Sequence, residues 1–352
     1  MSPRHHLRRS SGSQARAASL GLVAALVAVM GISAASSAQA LSAPRAPYVL
    51  PTPTRVQGVD RYDQAIKVSS TLREAPIVYL ASGEKFADAL SSSAVAAGRG
   101  SPLLLTPHGS VPEAVLAEMV RLQPEMIVVV GGEASVSDAA MQQVSQRVTG
   151  ATVVRIPGAD RYEVSRNLVA DATVGAINPD TAFIVTGADF PDALTASPAA
   201  IATGNATVLL VNGAEAAPTE AETALLESLG VHDVVLVGGT ASLSTELENS
   251  LRLLRYTVLR SGGADRYEAG VNVNRAAFSS ASIVYLASGT SFPDALSGGP
   301  KAAGGNDPLY VVQQNCVPGS VLDEIERLQA QQIIILGGPN TLGPGVDALT
   351  PC

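Results

Sequence analysis

The chain has 352 residues with 23 basic against 31 acidic side chains, a formal charge of −8. An acidic chain without a Lys/Arg block lacks the basic patch that phosphate-backbone binding rests on, so nucleic acid is excluded as a partner. A length of this order corresponds to two or three domains.

In chain order, the first feature is a leader. Arg4, Arg8, Arg9 and Arg16 precede the apolar run LGLVAALVAVMGISAA and a small-residue exit at Ala38-Gln39-Ala40. This is the layout of a secretory signal peptide, 1–40. Its apolar core is too short for a membrane span, and no later stretch reads as transmembrane. The mature chain is therefore expected outside the cytoplasm, without stable membrane insertion. Removing the four leader arginines leaves 19 basic residues against 31 acidic ones, a mature charge of −12. A linker, 41–54, follows.

From residue 55 onward the sequence copies itself. IVYLASGEKFADALSSSAVAAGRGSPLLLT (77–106) recurs at 182–211 and at 283–312, and MIVVVGGEASVS (126–137) recurs at 233–244 and 333–343. The period is too long for a solenoid unit, so each copy is a domain-sized module: 55–151, 152–256 and 257–352. The second copy reads as a strand at 152–156, a helix at 160–172, a strand at 182–186, a small-residue helix at 191–202, a strand at 207–211, a helix at 218–229, a strand at 233–237 and a helix at 244–254. Strands that are apolar without alternation are covered on both faces. Strict β/α alternation predicts an α/β fold with three tandem, doubly wound parallel-sheet modules. Ligands usually bind such sheets at the strand C-terminal ends.

Three motifs recur. In Gly-x-Asp-Arg-Tyr, Asp60, Asp160 and Asp265 are expected helix N-caps, each followed three residues later by an acid that would complete a capping box. Tyr62, Tyr162 and Tyr267 are expected to pack under the helix. Arg61, Arg161 and Arg266 then fall at the first helical position, where the helix dipole disfavours a cation. A locally unfavourable residue written three times implies a compensating partner. That partner is either a carboxylate in the same or the adjacent module or an anionic ligand gripped by the guanidinium fork.

In Phe-(Ala/Pro)-Asp-Ala-Leu, Asp88, Asp192 and Asp294 fall in the first turn of the small-residue helix. An acid there suits the dipole, and it also stands at the ligand-bearing edge, where it could pair with the arginine, take a sugar hydroxyl or hold a divalent cation. The helix itself is small enough in side chain to serve as a contact surface. In the third motif a strand ends in Gly-Gly, and six residues past the first glycine stand Ser137, Ser244 and Gly343. The serines are expected caps. No Gly-x-x-x-x-Gly-Lys-Ser/Thr pattern accompanies the glycines, which excludes a phosphate loop.

His108 and His232 fall at non-equivalent points of their copies, and no hydrolase motif is present, so the residues argue against an enzyme. Cys316 and Cys352 are the only candidates for a disulfide; with no nearby histidine they fall short of a metal ligand set. No metal site and no cofactor is expected.

Together GVDRY, LASGEKFADAL and VVVGGEASVS, with their second and third copies, resemble the cell wall-binding repeat type 2 family of Gram-positive surface proteins, over essentially all of 55–352. The resemblance implies three toprim-like α/β modules packed as an intramolecular pseudo-trimer. It also implies non-covalent anchoring to anionic secondary wall polymers, teichoic-acid-like or acidic polysaccharide. The candidate ligand-binding residues are then Arg61, Arg161, Arg266, Asp88, Asp192 and Asp294, in clefts at the module junctions, with bridging divalent cations as an option for an acidic protein. Alternatives are a structural surface-layer or adhesin component contacting other surface proteins, and a wall-glycan hydrolase. Gly343 and the end at Cys352 depart from the pattern of the first two copies and imply a shortened last helix.

Overall fold

The computed structural model describes residues 48–352. The expected signal peptide, 1–40, and linker residues 41–47 lie outside the described residues.

The first repeat runs β1 (Thr54–Val56), α1 (Arg61–Ser69), β2 (Ile77–Ser82), α2 (Phe86–Gly98), β3 (Leu103–Thr106), α3 (Glu113–Leu122), β4 (Met126–Val130) and α4 (Asp138–Arg147). The second runs β5 (Thr152–Ile156), α5 (Arg161–Ala170), β6 (Thr181–Thr186), α6 (Pro191–Ala202), β7 (Ala206–Val211), α7 (Glu220–Leu229), β8 (Asp233–Val237) and α8 (Thr245–Leu253). The third runs β9 (Thr257–Ser261), α9 (Arg266–Ala277), β10 (Ile283–Ser288), α10 (Pro293–Gly304), β11 (Leu309–Val312), α11 (Gly319–Leu328), β12 (Gln332–Leu336) and α12 (Pro344–Asp347). The apolar runs form strands because helices cover both faces: Val78, Tyr79, Leu80 and Ala81 of β2 are fully buried.

Three four-stranded sheets result, ordered β3-β2-β4-β5, β7-β6-β8-β9 and β11-β10-β12-β1, and every pairing is parallel. Sheets and sequence copies are out of phase by one strand. The reading that placed 152–156 in one sheet with the three strands after it is corrected: β5 pairs with β4, from Met126↔Thr152 to Val130↔Ile156. An apolar run specifies a strand but not the sheet that receives it, and here the crossover β4–α4–β5 places β5 at the edge beside β4. In the third sheet β1 fills the equivalent edge, Thr54↔Ile334 to Val56↔Leu336. The first strand of the array thus closes the last sheet.

The three small-residue helices α2, α6 and α10 pack on one another at the centre. Every residue from Ala87 to Ala97 of α2 is buried. Side chains of one or two atoms let the backbones approach: the Ser93 hydroxyl of α2 donates to the Leu296 carbonyl of α10 at 3.0 Å. A side chain at Gly299 would run into Ser93.

Local signals hold with one change. Asp60, Asp160 and Asp265 each accept two backbone amides of the following turn at 2.8–2.9 Å. The acid three residues on does not close a capping box on the cap residue. Asp63, Glu163 and Glu268 instead accept the amides of Val59, Ala159 and Ala264, one residue earlier, at 2.7–3.0 Å. The cap residue is already extended, which turns its own amide away from the helix. Ser137 and Ser244 cap α4 and α8. At the third position Gly343 and Pro344 start an α12 of four residues. Cys316 and Cys352 form a disulfide with Cα atoms 5.0 Å apart. Beside it the Val317 amide donates to the Thr350 carbonyl and the Cys352 amide donates to the Val317 carbonyl, fixing the end of the chain against the start of α11.

Candidate functional site

The junctions between repeats are held by one set of arginines and left chemically open by another. Arg55, Arg155 and Arg260 stand on β1, β5 and β9, the strands that join the preceding sheet. Each donates to the carbonyl of the first glycine of the Gly-Gly pair it crosses: Arg55 to Gly337 at 2.6 Å, Arg155 to Gly131 and Arg260 to Gly238 at 3.0 Å. Each also pairs with an acid of the helix beyond, Asp347, Asp138 or Glu248. All three side chains are about 15% exposed. These are the structural ion pairs of the junction.

Arg61, Arg161 and Arg266 are held differently. Each is half-buried at the first position of its helix and reaches across to the glycine carbonyl after the second strand of its own repeat. Arg161 donates to Gly187 at 2.6 Å, Arg266 to Gly289 at 2.7 Å, and Arg61 to Gly83. That acceptor offsets the unfavourable dipole. The rest of the fork faces the junction.

Phe86, Phe190 and Phe292, one per repeat, meet edge to face with centroids 5.7–5.9 Å apart and interplanar angles of 61° at every pair. They mark a pseudo-threefold axis. The Arg161 guanidinium lies 5.2 Å from the Phe86 centroid and that of Arg61 5.9 Å from Phe292, so each spans to the repeat before its own. Arg266 instead reaches Asp189, its Nη2 3.4 Å from the carboxylate.

Beneath each arginine lies an acid. Asp88 and Asp192 are 6% and 8% exposed, and Asp294 is partly buried. Burial raises the pKa of all three, that of Asp192 to about 6. A neighbouring hydroxyl pulls the other way: Ser135 beside Asp88, Ser242 beside Asp192 and Thr341 beside Asp294. The facing arginines, Arg161, Arg266 and Arg61, also favour the charged forms. The Gly-Gly turn makes room for the carboxylate. Gly131, Gly238 and Gly337 have φ of +106°, +127° and +108°, and a Cβ there would collide with the aspartate Oδ2.

All six candidate residues therefore meet at the junctions, an arginine of one repeat over an aspartate of the repeat before it. At the first junction Lys85, Phe86, Asp88, Ser135 and Arg161 line a cleft of about 390 Å³. At the second, Asp189, Asp192, Ser242 and Arg266 line one of about 160 Å³. A guanidinium beside hydroxyls and an acid whose pKa burial raises can hold an anionic group and bond the sugar-like hydroxyls attached to it. The hydroxyls of Ser135, Ser242 and Thr341 and the seam arginines are additions to the residues read from sequence. A signal existed for both, since GGEAS, GGTAS and GGPNT share a hydroxyl at the fifth position and each strand entering a junction carries an arginine.

His108 and His232 are exposed; His108 borders the first junction, where its amide donates to Glu84 and its ring contacts the Glu133 carbonyl. Among the described residues no group of three or more His, Cys, Asp or Glu side chains could hold a metal ion, and no helix is long and apolar enough to cross a membrane.

Comparison with known proteins agrees with this architecture. The profile of Cell wall binding domain 2 (CWB2) matches residues 55–141, 155–248 and 260–347. N-acetylmuramoyl-L-alanine amidase LytC of Bacillus subtilis is 30% identical over 250 residues, 71% of this chain and 48% of its own length. The amidase enhancer of the same organism is 28% identical over 270 residues, covering 76% of this chain and 35% of its own length. The chain thus spans half or less of the curated relatives it matches. Among solved structures, Cwp6 from Clostridium difficile superposes with a TM-score of 0.76 at 22% identity, over 86% of this chain and 48% of its own. Cwp8 from the same organism gives 0.74 at 25% identity, over 85% and 51%. With three matched segments covering most of its length, the chain belongs to the Cell wall binding domain 2 (CWB2) family of wall-binding modules.

Proposed function

We propose that this chain is exported and attaches non-covalently to the cell wall by gripping anionic secondary wall polymers at its junction clefts, without catalysing a reaction. The observation that carries the reading is the division of labour between arginines. Arg55, Arg155 and Arg260 take the interlocking ion pairs. Arg61 and Arg161 stay water-accessible over an aromatic ring, with a glycine carbonyl as their protein acceptor. An acidic protein is repelled by an anionic polymer at long range, so local cations must supply the grip. Repeated sites on one chain facing repeated units on a polymer add avidity. LytC and the amidase enhancer share with this chain only part of their length, which supports a binding rather than a catalytic role for the shared part.

The test is retention on purified walls, before and after mild acid removes the accessory polymers, with and without chelator. Arg61→Ala/Arg161→Ala, folded by circular dichroism, should lose retention. Wild type should lose it on acid-stripped walls. Loss with chelator would assign part of the grip to bridging divalent cations. Unchanged retention of the double variant would remove the reading.

A further inference from the structure

The three junctions are built from the same motif but are not chemically alike. The residue before the central phenylalanine is Lys85 in the first repeat, Asp189 in the second and Ser291 in the third. At the first junction this position adds a cation: Lys85 is exposed, donates to the Ala134 carbonyl at 2.9 Å and lines the cleft with Arg161. Glu84 lies in the same cleft, but its carboxylate accepts the His108 amide at 3.2 Å, on the loop after β3. At the junction of the third repeat with the first, the position is a neutral hydroxyl and Arg61 lies over Phe292.

At the second junction the same position supplies an acid. Asp189 pairs with the Nη2 of Arg266, the arm left over once Nη1 has bonded Gly289. The cleft around that pair is less than half the volume of the first, about 160 against 390 Å³. A carboxylate already on the guanidinium and a smaller cleft thus act in one direction.

The geometry points to an internal ligand: the Asp189 carboxylate occupies the anion position of the second junction, so that anionic polymer engages Arg161 and Arg61 but not Arg266. This rests on the proposed function and deepens it by assigning two working sites and one self-occupied site. The ion pair is partly solvent-exposed and its strength is that of a surface pair. Displacement by removing the charge is therefore a change of about two- to fivefold rather than orders of magnitude.

The experiment uses the full mature chain and purified Gram-positive walls retaining their phosphate-bearing polymers, with binding isotherms at two salt concentrations. Asp189→Asn keeps the carboxamide oxygen that accepts the Phe190 amide, as Asp189 does at 2.9 Å, while removing the charge. It should raise affinity about two- to fivefold and steepen the salt dependence. Arg161→Ala should lower affinity about tenfold. Arg266→Ala should stay within about twofold of wild type, yet reverse the gain when combined with Asp189→Asn. An Arg266→Ala loss equal to that of Arg161→Ala, with no gain from Asp189→Asn, would overturn the inference and leave the proposed function standing. Indifference to all three changes, and to Arg61→Ala, would remove both.

Discussion

Asp192→Asn tests whether the junction acids are kept at the expense of stability. The Asp192 carboxyl is 8% exposed, and burial raises its pKa from 3.8 to about 6, assisted by Asp189 and opposed by Ser242 and Arg266. Below pH 3.8 the group is protonated in folded and unfolded chain alike and contributes nothing. Between 3.8 and about 6 the unfolded chain has released the proton and the folded chain has not, so stability falls as pH rises. Above about 6 the deficit is constant at about 3 kcal/mol, an upper bound given side-chain relaxation. Asparagine is nearly isosteric and carries no charge to desolvate. The variant should therefore match wild type near pH 4 and exceed it by about 1–3 kcal/mol at pH 7.5. Urea unfolding at half-unit steps from pH 4 to 8 measures this directly. If the variant is no more stable at pH 7.5 and the two pH profiles run parallel, the carboxylate is not being desolvated and the electrostatic account of the cleft fails.

Three further outcomes follow from other parts of the molecule. Phe190→Ala removes two edge-to-face contacts, at 5.8 and 5.7 Å, from the central triad and should cost about 2–4 kcal/mol, read as a lowered calorimetric midpoint. Glu324 is fully buried and bonds Arg275, Arg327 and the Tyr310 hydroxyl, and the two arginines hold its pKa below the usual range against the opposing effect of burial. Its stabilisation is present above the unfolded glutamate pKa and is lost as pH falls through the folded one. Glu324→Gln should cost about 2–4 kcal/mol at pH 7 and flatten the acid limb of the denaturation profile below the ordinary glutamate pKa of 4.5. Gly131→Ala forces a side chain onto a φ of +106° and into Asp88, and should destabilise by about 2 kcal/mol or more while reducing wall retention.

Much of this was legible in the sequence because repetition separates signal from accident. The apolar runs, the capping aspartates and the small-residue helices each recur, and each recurs as the structure places it. The arginine at the start of each first helix was visible as an anomaly, since its conflict with the dipole is local. What stayed hidden depends on neighbours distant along the chain. Arg155 gives no sign within TVVRI that its partners are the Gly131 carbonyl and Asp138 of the preceding repeat. The strand phase was misread for the same reason: a hydrophobic run specifies a strand but not which sheet receives it. Ser135 was passed over because a loop serine has many ordinary uses, and only the buried Asp88 beside it gives its hydroxyl a role. The difference among Lys85, Asp189 and Ser291 gained meaning only when Arg266 was found facing Asp189.

The loan of β1 to the sheet of β12 makes the array count to three on its own. A single repeat cut from the chain would carry one strand to give and one bare edge to fill, and could satisfy both only by exchange with other copies. Such a fragment should sediment as assemblies rather than as a monomer, whereas a chain recut and rejoined at another junction should remain one closed particle.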